Sequence, residues 1–101
     1  MGAGSSGTKT AKAHWVYIVR CSDGTLYTGY STDYVRRVKV HNSGRGAKYT
    51  RGRLPVDLAY LEEFRTKSGA LRREVEIKSM KAREKRRLCS TFRPNRPHSS
   101  R

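Results

Sequence analysis

The chain has 101 residues, 35% of them hydrophobic, which can fill one modest core and so predicts one domain with one site rather than a divided enzyme. Its 23 Lys and Arg against 8 Asp and Glu give a net charge of +15, which favours a polyanionic partner, with nucleic acid ahead of an anionic membrane surface. No run approaches the roughly 18 apolar residues of a spanning helix, and the N-terminus lacks the apolar core of a secretory signal, so the expectation is a soluble, cytoplasmic protein that does not use a membrane.

Residues 1–13 are Gly, Ser, Thr and Lys with almost no apolar content and read as a disordered arm. The runs Trp15 to Arg20 and Leu26 to Tyr30 are rich in β-formers and flank Cys21-Ser22-Asp23-Gly24-Thr25, which predicts a β-hairpin. The turn decides which side chains share a face. A two-residue turn at Asp23 and Gly24 would separate Tyr17 from Tyr27, whereas a type I turn at Ser22 and Asp23 with Gly24 left-handed brings them together. In that second register Tyr17 opposes Gly29 and Val19 opposes Tyr27. Val16, Ile18, Leu26, Thr28 and Tyr30 then line the other, more apolar face, which is the expected core side.

Ser31-Thr32-Asp33 supplies capping side chains for a helix YVRRVKVHN that stops at Asn42-Ser43-Gly44. Arg37 and His41, four residues apart, project from one face of it. Gly44 to Pro55 holds three glycines, four cations and a tyrosine in twelve residues, and reads as a basic, mobile loop. Val56 to Phe64 suits a third strand, with Val56, Leu58 and Tyr60 on one side. From Lys67 to about Ser79 helical spacing gives an apolar stripe of Ala70, Leu71, Val75 and Ile77. Glu74 faces inward within that stripe, and Glu76 faces out among Arg72, Arg73 and Met80. A basic helix from Lys81 to Leu88 precedes a tail, 93–101, that is expected to be disordered.

Cys21 and Cys89 have no Cys or His beside them at metal spacing, so reduced structural thiols are expected rather than a zinc site. The carboxylates are thinly spread. Only Glu62 and Glu63 adjoin, and adjacent strand residues point to opposite faces. A two-metal site needs several converging acids, so any metal chemistry here should use a single ion.

The order of elements and their side chains resembles the GIY-YIG nuclease superfamily. Trp15-Val16-Tyr17 stands where that family has Gly-Ile-Tyr, with Trp15 in place of the leading glycine, and Tyr27-Thr28-Gly29 stands where it has Tyr-Ile-Gly. The segments Asp23 to Gly29, the helix ending in His41, Gly46 to Arg53 and Ala70 to Glu74 are similar to a group of small, standalone bacterial GIY-YIG proteins. The resemblance implies an α/β fold, a small three-stranded, mostly antiparallel sheet flanked by helices, occupying residues 14–92.

The resemblance also implies the roles of the site residues. Glu74 becomes the ligand of one divalent metal, Mg²⁺ or Mn²⁺, and the helical pattern singles out the same residue. A lone carboxylate in an apolar stripe needs a partner, so a core Glu paired to a cation is the competing explanation. Magnesium takes oxygen ligands and keeps several waters, so one carboxylate with phosphate oxygens suffices. Arg37 would contact the scissile phosphate with its planar, permanently charged fork; a solvated helix arginine is the ordinary alternative. The nucleophile would be water, with Tyr17, Tyr27 and His41 as candidates to take its proton. A tyrosine of pKa about 10 is a poor base unless the metal and Arg37 favour phenolate, while His41 has the better intrinsic pKa. The family usually casts the first-motif tyrosine, here Tyr17, as the base, with Tyr27 and His41 positioning or relaying. Gly29 is the motif's structural glycine.

Arg45, Lys48, Tyr49, Arg51 and Arg53, with Arg36, read as a clamp for phosphates and a stacked base; the loop has neither the Lys-Ser/Thr of a Walker motif nor the setting of a Rossmann turn. The function expected is metal-dependent endonucleolytic hydrolysis of DNA with little sequence specificity, and by resemblance a place in DNA repair or processing. A non-catalytic nucleic-acid-binding module of the same fold is the alternative. A basic protein docking on an acidic protein partner is a third reading without a motif of its own. No organic cofactor is called for.

Overall fold

A computed structural model describes residues 13–92. The elements in chain order are β1 (His14–Arg20), β2 (Leu26–Ser31), α1 (Tyr34–Asn42), α2 (Lys48–Arg51), β3 (Asp57–Phe64), α3 (Lys67–Lys78) and α4 (Ala82–Ser90). The three strands form one wholly antiparallel sheet in the order β2-β1-β3. All but one residue of the expected arm 1–13, and all of the expected tail 93–101, lie outside the described residues.

The β1–β2 hairpin has the register that places the two tyrosines together: Tyr17 opposes Gly29 and Val19 opposes Tyr27. Gly24 sits at φ +87°, a conformation glycine adopts without the steric penalty of a Cβ. Its N–H donates to the Cys21 carbonyl (2.9 Å), and the Cys21 N–H to the Thr25 carbonyl (2.8 Å). Asp23 braces the turn by accepting from the backbone and hydroxyl of Thr25.

Both faces of the sheet are core. Val16 and Ile18 pack against Ala59, Ala70, Ile77 and Cys89 under α3 and α4, while Tyr17 and Val19 pack against Cys21 and Val56, with Tyr34 and Val38 of α1 over them. The expectation of a single core side is therefore corrected. Central β1 is covered on two sides, which is why its run Val16-Tyr17-Ile18-Val19 is buried without alternation. The two cysteines are buried free thiols, one in each layer.

Two strand and helix expectations are also corrected. Tyr60 does not share a side with Val56 and Leu58. The β1–β3 register shifts between Ile18 and Val19, so that Ile18 opposes Tyr60 and Val19 opposes Leu58. The extra residue, Ala59, is a bulge that sends Tyr60 into the α3 layer and leaves Leu58 and Leu61 in the α1 layer. In α3 the inward stripe is Ala70, Glu74 and Ile77. Leu71 and Val75 lie outside it, and Val75 is 67% exposed. Seven residues separate Ala70 from Ile77, nearly two full turns, whereas Leu71 and Val75 are offset by about 100° or more from that line.

α1 and α3 are each held by a side chain before the first turn: Asp33 accepts from the Arg36 N–H (3.1 Å) and Thr66 from the Gly69 N–H (3.0 Å). Asn42 closes α1 onto the start of β3, donating to the Val56 carbonyl (3.0 Å) and accepting from the Val56 N–H (2.7 Å). The segment expected to be a mobile loop contains α2, and Thr50 within it is fully buried. Among the described residues no helix is long and apolar enough to cross a membrane.

Candidate active site

Tyr17, Tyr27, Gly29, Arg37, His41 and Glu74 line one cleft of about 440 Å³, joined by Tyr30, Arg45, Gly46 and Ala47. Strand β1 contributes Tyr17, β2 contributes Tyr27 and Gly29, α1 contributes Arg37 and His41, and α3 contributes Glu74. These come from opposite layers, so the cleft wraps the β2 edge of the sheet. Gly29 makes this close packing feasible: a Cβ built there would land on the hydroxyl and ring of Tyr17.

A directed chain of hydrogen bonds runs through the floor. The Thr50 hydroxyl donates to the Ala47 carbonyl (2.9 Å), which uses its only proton. It can therefore only accept from His41 Nδ1, 3.0 Å away. That contact puts the proton of neutral His41 on Nδ1 and leaves the lone pair on Nε2. The Tyr17 hydroxyl, 3.0 Å from Nε2, is then the donor to it. Gly46 packs directly on the imidazole, where a Cβ would collide with Nδ1 and the His41 Cα.

Burial pushes the Tyr17 phenol well above its ordinary range, and neighbouring Tyr27 adds to this; Arg37 pulls it down by less, and Glu74 raises it further. Arg37 thus acts in the direction expected of it, towards phenolate, while burial acts more strongly towards the phenol. Burial, with Arg37 second, lowers the His41 pKa below its usual value, so His41 is neutral and free to accept a proton at pH 7. Tyr27 meets the His41 ring edge-on at 5.4 Å between centroids.

Among the described residues Glu74 is the one carboxylate lining the cleft. Its side chain is 17% exposed, and Oε2 lies 3.3 Å from Lys78 Nζ, one helical turn on. Among the described residues no three His, Cys, Asp or Glu side chains cluster closely enough to hold a metal by themselves. A single carboxylate fits a magnesium-type ion whose remaining positions are filled by water and phosphate oxygens.

The expected clamp residues are distributed unevenly. Arg45 lines the cleft, Arg36 lines the adjoining hollow with Asp33 and Arg37, and Lys48 is exposed on α2. Arg51 donates to the Gly46 carbonyl (3.3 Å). Arg53 bonds Asp23 (3.0 Å) and the Tyr49 carbonyl (2.8 Å), and its guanidinium lies over the Tyr49 ring. Tyr49 stacks near Tyr27, 5.7 Å between centroids. Sequence reasoning missed Tyr30, whose hydroxyl is 2.8 Å from His14 Nδ1, and also Gly46, Ala47 and Thr50. No local pattern marks Gly46 and Thr50, because their partner, His41, comes from another element; Ala47 enters through its carbonyl, which accepts from Thr50. Trp15, the departure from the leading glycine of the motif, packs edge-on against Tyr34 of α1 at 4.9 Å.

A model of the GIY-YIG catalytic domain matches residues 13–87. The chain belongs to the GIY-YIG family. This GIY-YIG chain is 61% identical over 76 residues to a UPF0213 protein of Haloquadratum walsbyi, covering 75% of the chain and 85% of that relative. A UPF0213 protein of Staphylococcus aureus is 58% identical over 76 residues, covering 75% and 93%. Two solution structures share the fold. The UPF0213 protein BH0048 of Bacillus halodurans matches at 51% identity with a TM-score of 0.52, covering 78% of this chain and 84% of that one. The protein EF2693 of E. faecalis matches at 38% identity with a TM-score of 0.56, covering 86% and 95%. GIY-YIG is a nuclease superfamily, and its domain implies a nucleic-acid substrate.

Proposed function

We propose that this GIY-YIG domain is a divalent-metal-dependent endonuclease that hydrolyses DNA phosphodiester bonds with little sequence specificity, in a repair or processing role. The observation that carries the reading is the convergence of Tyr17, Tyr27, Arg37, His41 and Glu74 on one cleft in a chain of net charge +15.

In this reading Glu74 holds the cation, Mg²⁺ or Mn²⁺, which when bound neutralises charge on the phosphate. Arg37 offers its fork to the non-bridging oxygens and favours the charge that builds on them. The attacking water gives its proton to the Tyr17 oxygen as the Tyr17 proton passes to His41 Nε2. The water oxygen forms the new bond to phosphorus, the ester P–O bond opposite breaks, and the departing oxygen takes a proton from solvent. His41 then returns its proton to solvent by way of Tyr17. A phenol of raised pKa suits this relay better than a standing phenolate, because no charge is buried before the reaction begins. Tyr27, edge-on to His41, keeps the imidazole aimed. Arg36, Arg45, Lys48, Tyr49, Arg51 and Arg53 form the surrounding contact surface.

The test is a panel of labelled single-stranded, duplex and branched DNA, with and without Mg²⁺ or Mn²⁺, for the wild type and Glu74→Ala. Metal-dependent cutting that Glu74→Ala abolishes is expected. Binding without cutting on every substrate would overturn the enzyme and leave a nucleic-acid-binding module. Affinity should fall with salt at a log–log slope of about −3 to −5 for roughly four to six neutralised phosphates; a flat response would point to a protein partner.

A further inference from the structure

A second hollow, about 400 Å³, lies beside the cleft between the β1–β2 turn and α4, lined by Asp23, Leu26, Tyr49, Lys85 and Arg86 among others. We propose that it holds the stretch of single-stranded nucleic acid next to the scissile phosphate, with Lys85 and Arg86 on its phosphates and Tyr49 with Arg53 against a base. This rests on the reading of the cleft as a phosphodiester site.

The hollow is joined to the cleft by two stacked rings. Tyr27 lines the cleft, Tyr49 lines the hollow, and the two are inclined by 29°. A strand leaving Arg37 along this edge therefore meets Tyr49 next. Tyr49 is 41% exposed, and Arg53 lies over its ring at 4.3 Å, so a base meets an aromatic edge or a flat guanidinium, both sequence-tolerant stacking surfaces.

The charges favour a phosphate. Asp23 is engaged by Arg53 at 3.0 Å, which leaves the two helical cations as the excess charge of the hollow. Among the described residues no carboxylate lies within ion-pair distance of Lys85 or Arg86. Lys85 is half-buried, and its ammonium has no carboxylate counter-ion among the described residues, a place an anion would fill. Arg51 and Arg53 already bond to the protein, so α4 provides cations that the Gly44–Pro55 loop has committed elsewhere.

The same helix supplies the control. Arg83 and Arg87 carry equal charge but do not line the hollow. In the full chain with Glu74→Ala, so that the probe is not cut, fluorescence anisotropy would follow a labelled oligothymidylate of about twelve nucleotides, a length suited to a groove that tracks one strand. The double variant Lys85→Ala/Arg86→Ala should bind about tenfold more weakly, with a salt slope shallower by about 1.4, or 0.7 for each lost phosphate contact. Arg83→Ala/Arg87→Ala should stay within about twofold of the parent. Equal losses in both pairs, no loss in the first, or no binding by the parent would each overturn the proposal. The cleavage reading is scored separately in the Glu74 background's wild-type parent. Cutting with an unaffected Lys85/Arg86 pair removes the hollow and keeps the nuclease; selective weakening without cutting does the reverse.

Discussion

The Thr50 hydroxyl stands 3.0 Å from His41 Nδ1, and because its proton is given to the Ala47 carbonyl it dictates which imidazole nitrogen faces Tyr17. Thr50→Val removes that acceptor while keeping the shape. It should lower the cleavage rate by about 10- to 100-fold, no more than the low end of the roughly 10²- to 10⁴-fold that a positioned general base contributes. It should also cost about 1–3 kcal/mol of stability for the orphaned N–H. Thr50→Ser should restore both. Nitrogen NMR of the imidazole would show one tautomer in the wild type and a mixture in Thr50→Val; an unchanged tautomer would remove this positioning role.

Arg36 and Arg37 are neighbours on α1 and both line the hollow beside the cleft, but of the two Arg37 alone also lines the cleft. Arg37→Lys keeps the charge and loses the planar fork, and single-turnover cleavage should slow by about 10²-fold with oligonucleotide affinity within a few-fold of wild type. Arg36→Ala should instead weaken binding and leave the rate at saturation intact. The opposite pattern would exchange their roles.

Acid should destabilise the fold through His41. Its folded pKa is lowered by burial, so as pH falls below about 6.5 the unfolded chain takes up a proton that the folded chain refuses. Stability from this group is therefore complete above about pH 6.5 and is lost as pH falls towards the folded pKa. Urea denaturation at pH 7 and at pH 5 should show the loss, and His41→Gln should shrink it. Identical pH dependence in the two proteins would assign the effect to other groups.

Thr28 is buried on the α3 side of the sheet, and among the described residues its hydroxyl has no hydrogen-bond partner. Thr28→Val replaces it with a methyl of nearly the same size. The exchange should stabilise by about 1 kcal/mol, raising Tm by roughly 4–8 °C for a domain of this length. An unchanged or lowered Tm would mean that the hydroxyl has a partner in solution.

Much of this site was legible because its residues are anchored by short-range rules. Gly24 fixes the turn, the turn fixes the strand register, and the register brings Tyr17 and Tyr27 to one face. Helical spacing likewise aligned Arg37 with His41 and turned Glu74 inward. What could not be read depends on contacts between segments distant in the chain. The Ala59 bulge breaks the alternation that placed Tyr60, and no residue type announces it. Apolar residues on α3 occupy two faces, so counting them included Leu71 and Val75 in the core. Thr50 looks like an ordinary loop threonine until α2 folds beneath His41. The burial of both sheet faces follows from α1 and α3 packing on opposite sides, which the hairpin alone does not reveal.

Because Gly29 leaves the β2 edge bare of a side chain, the cleft draws Arg37 and His41 from one layer and Glu74 from the other. The site consequently exists only while both layers are docked. During synthesis Tyr17, Tyr27, Arg37 and His41 emerge first, yet the constellation stays incomplete until α3 has formed and closed against the sheet. A nascent or partly melted chain therefore carries its positive charge before the cleft that Glu74 completes has been assembled.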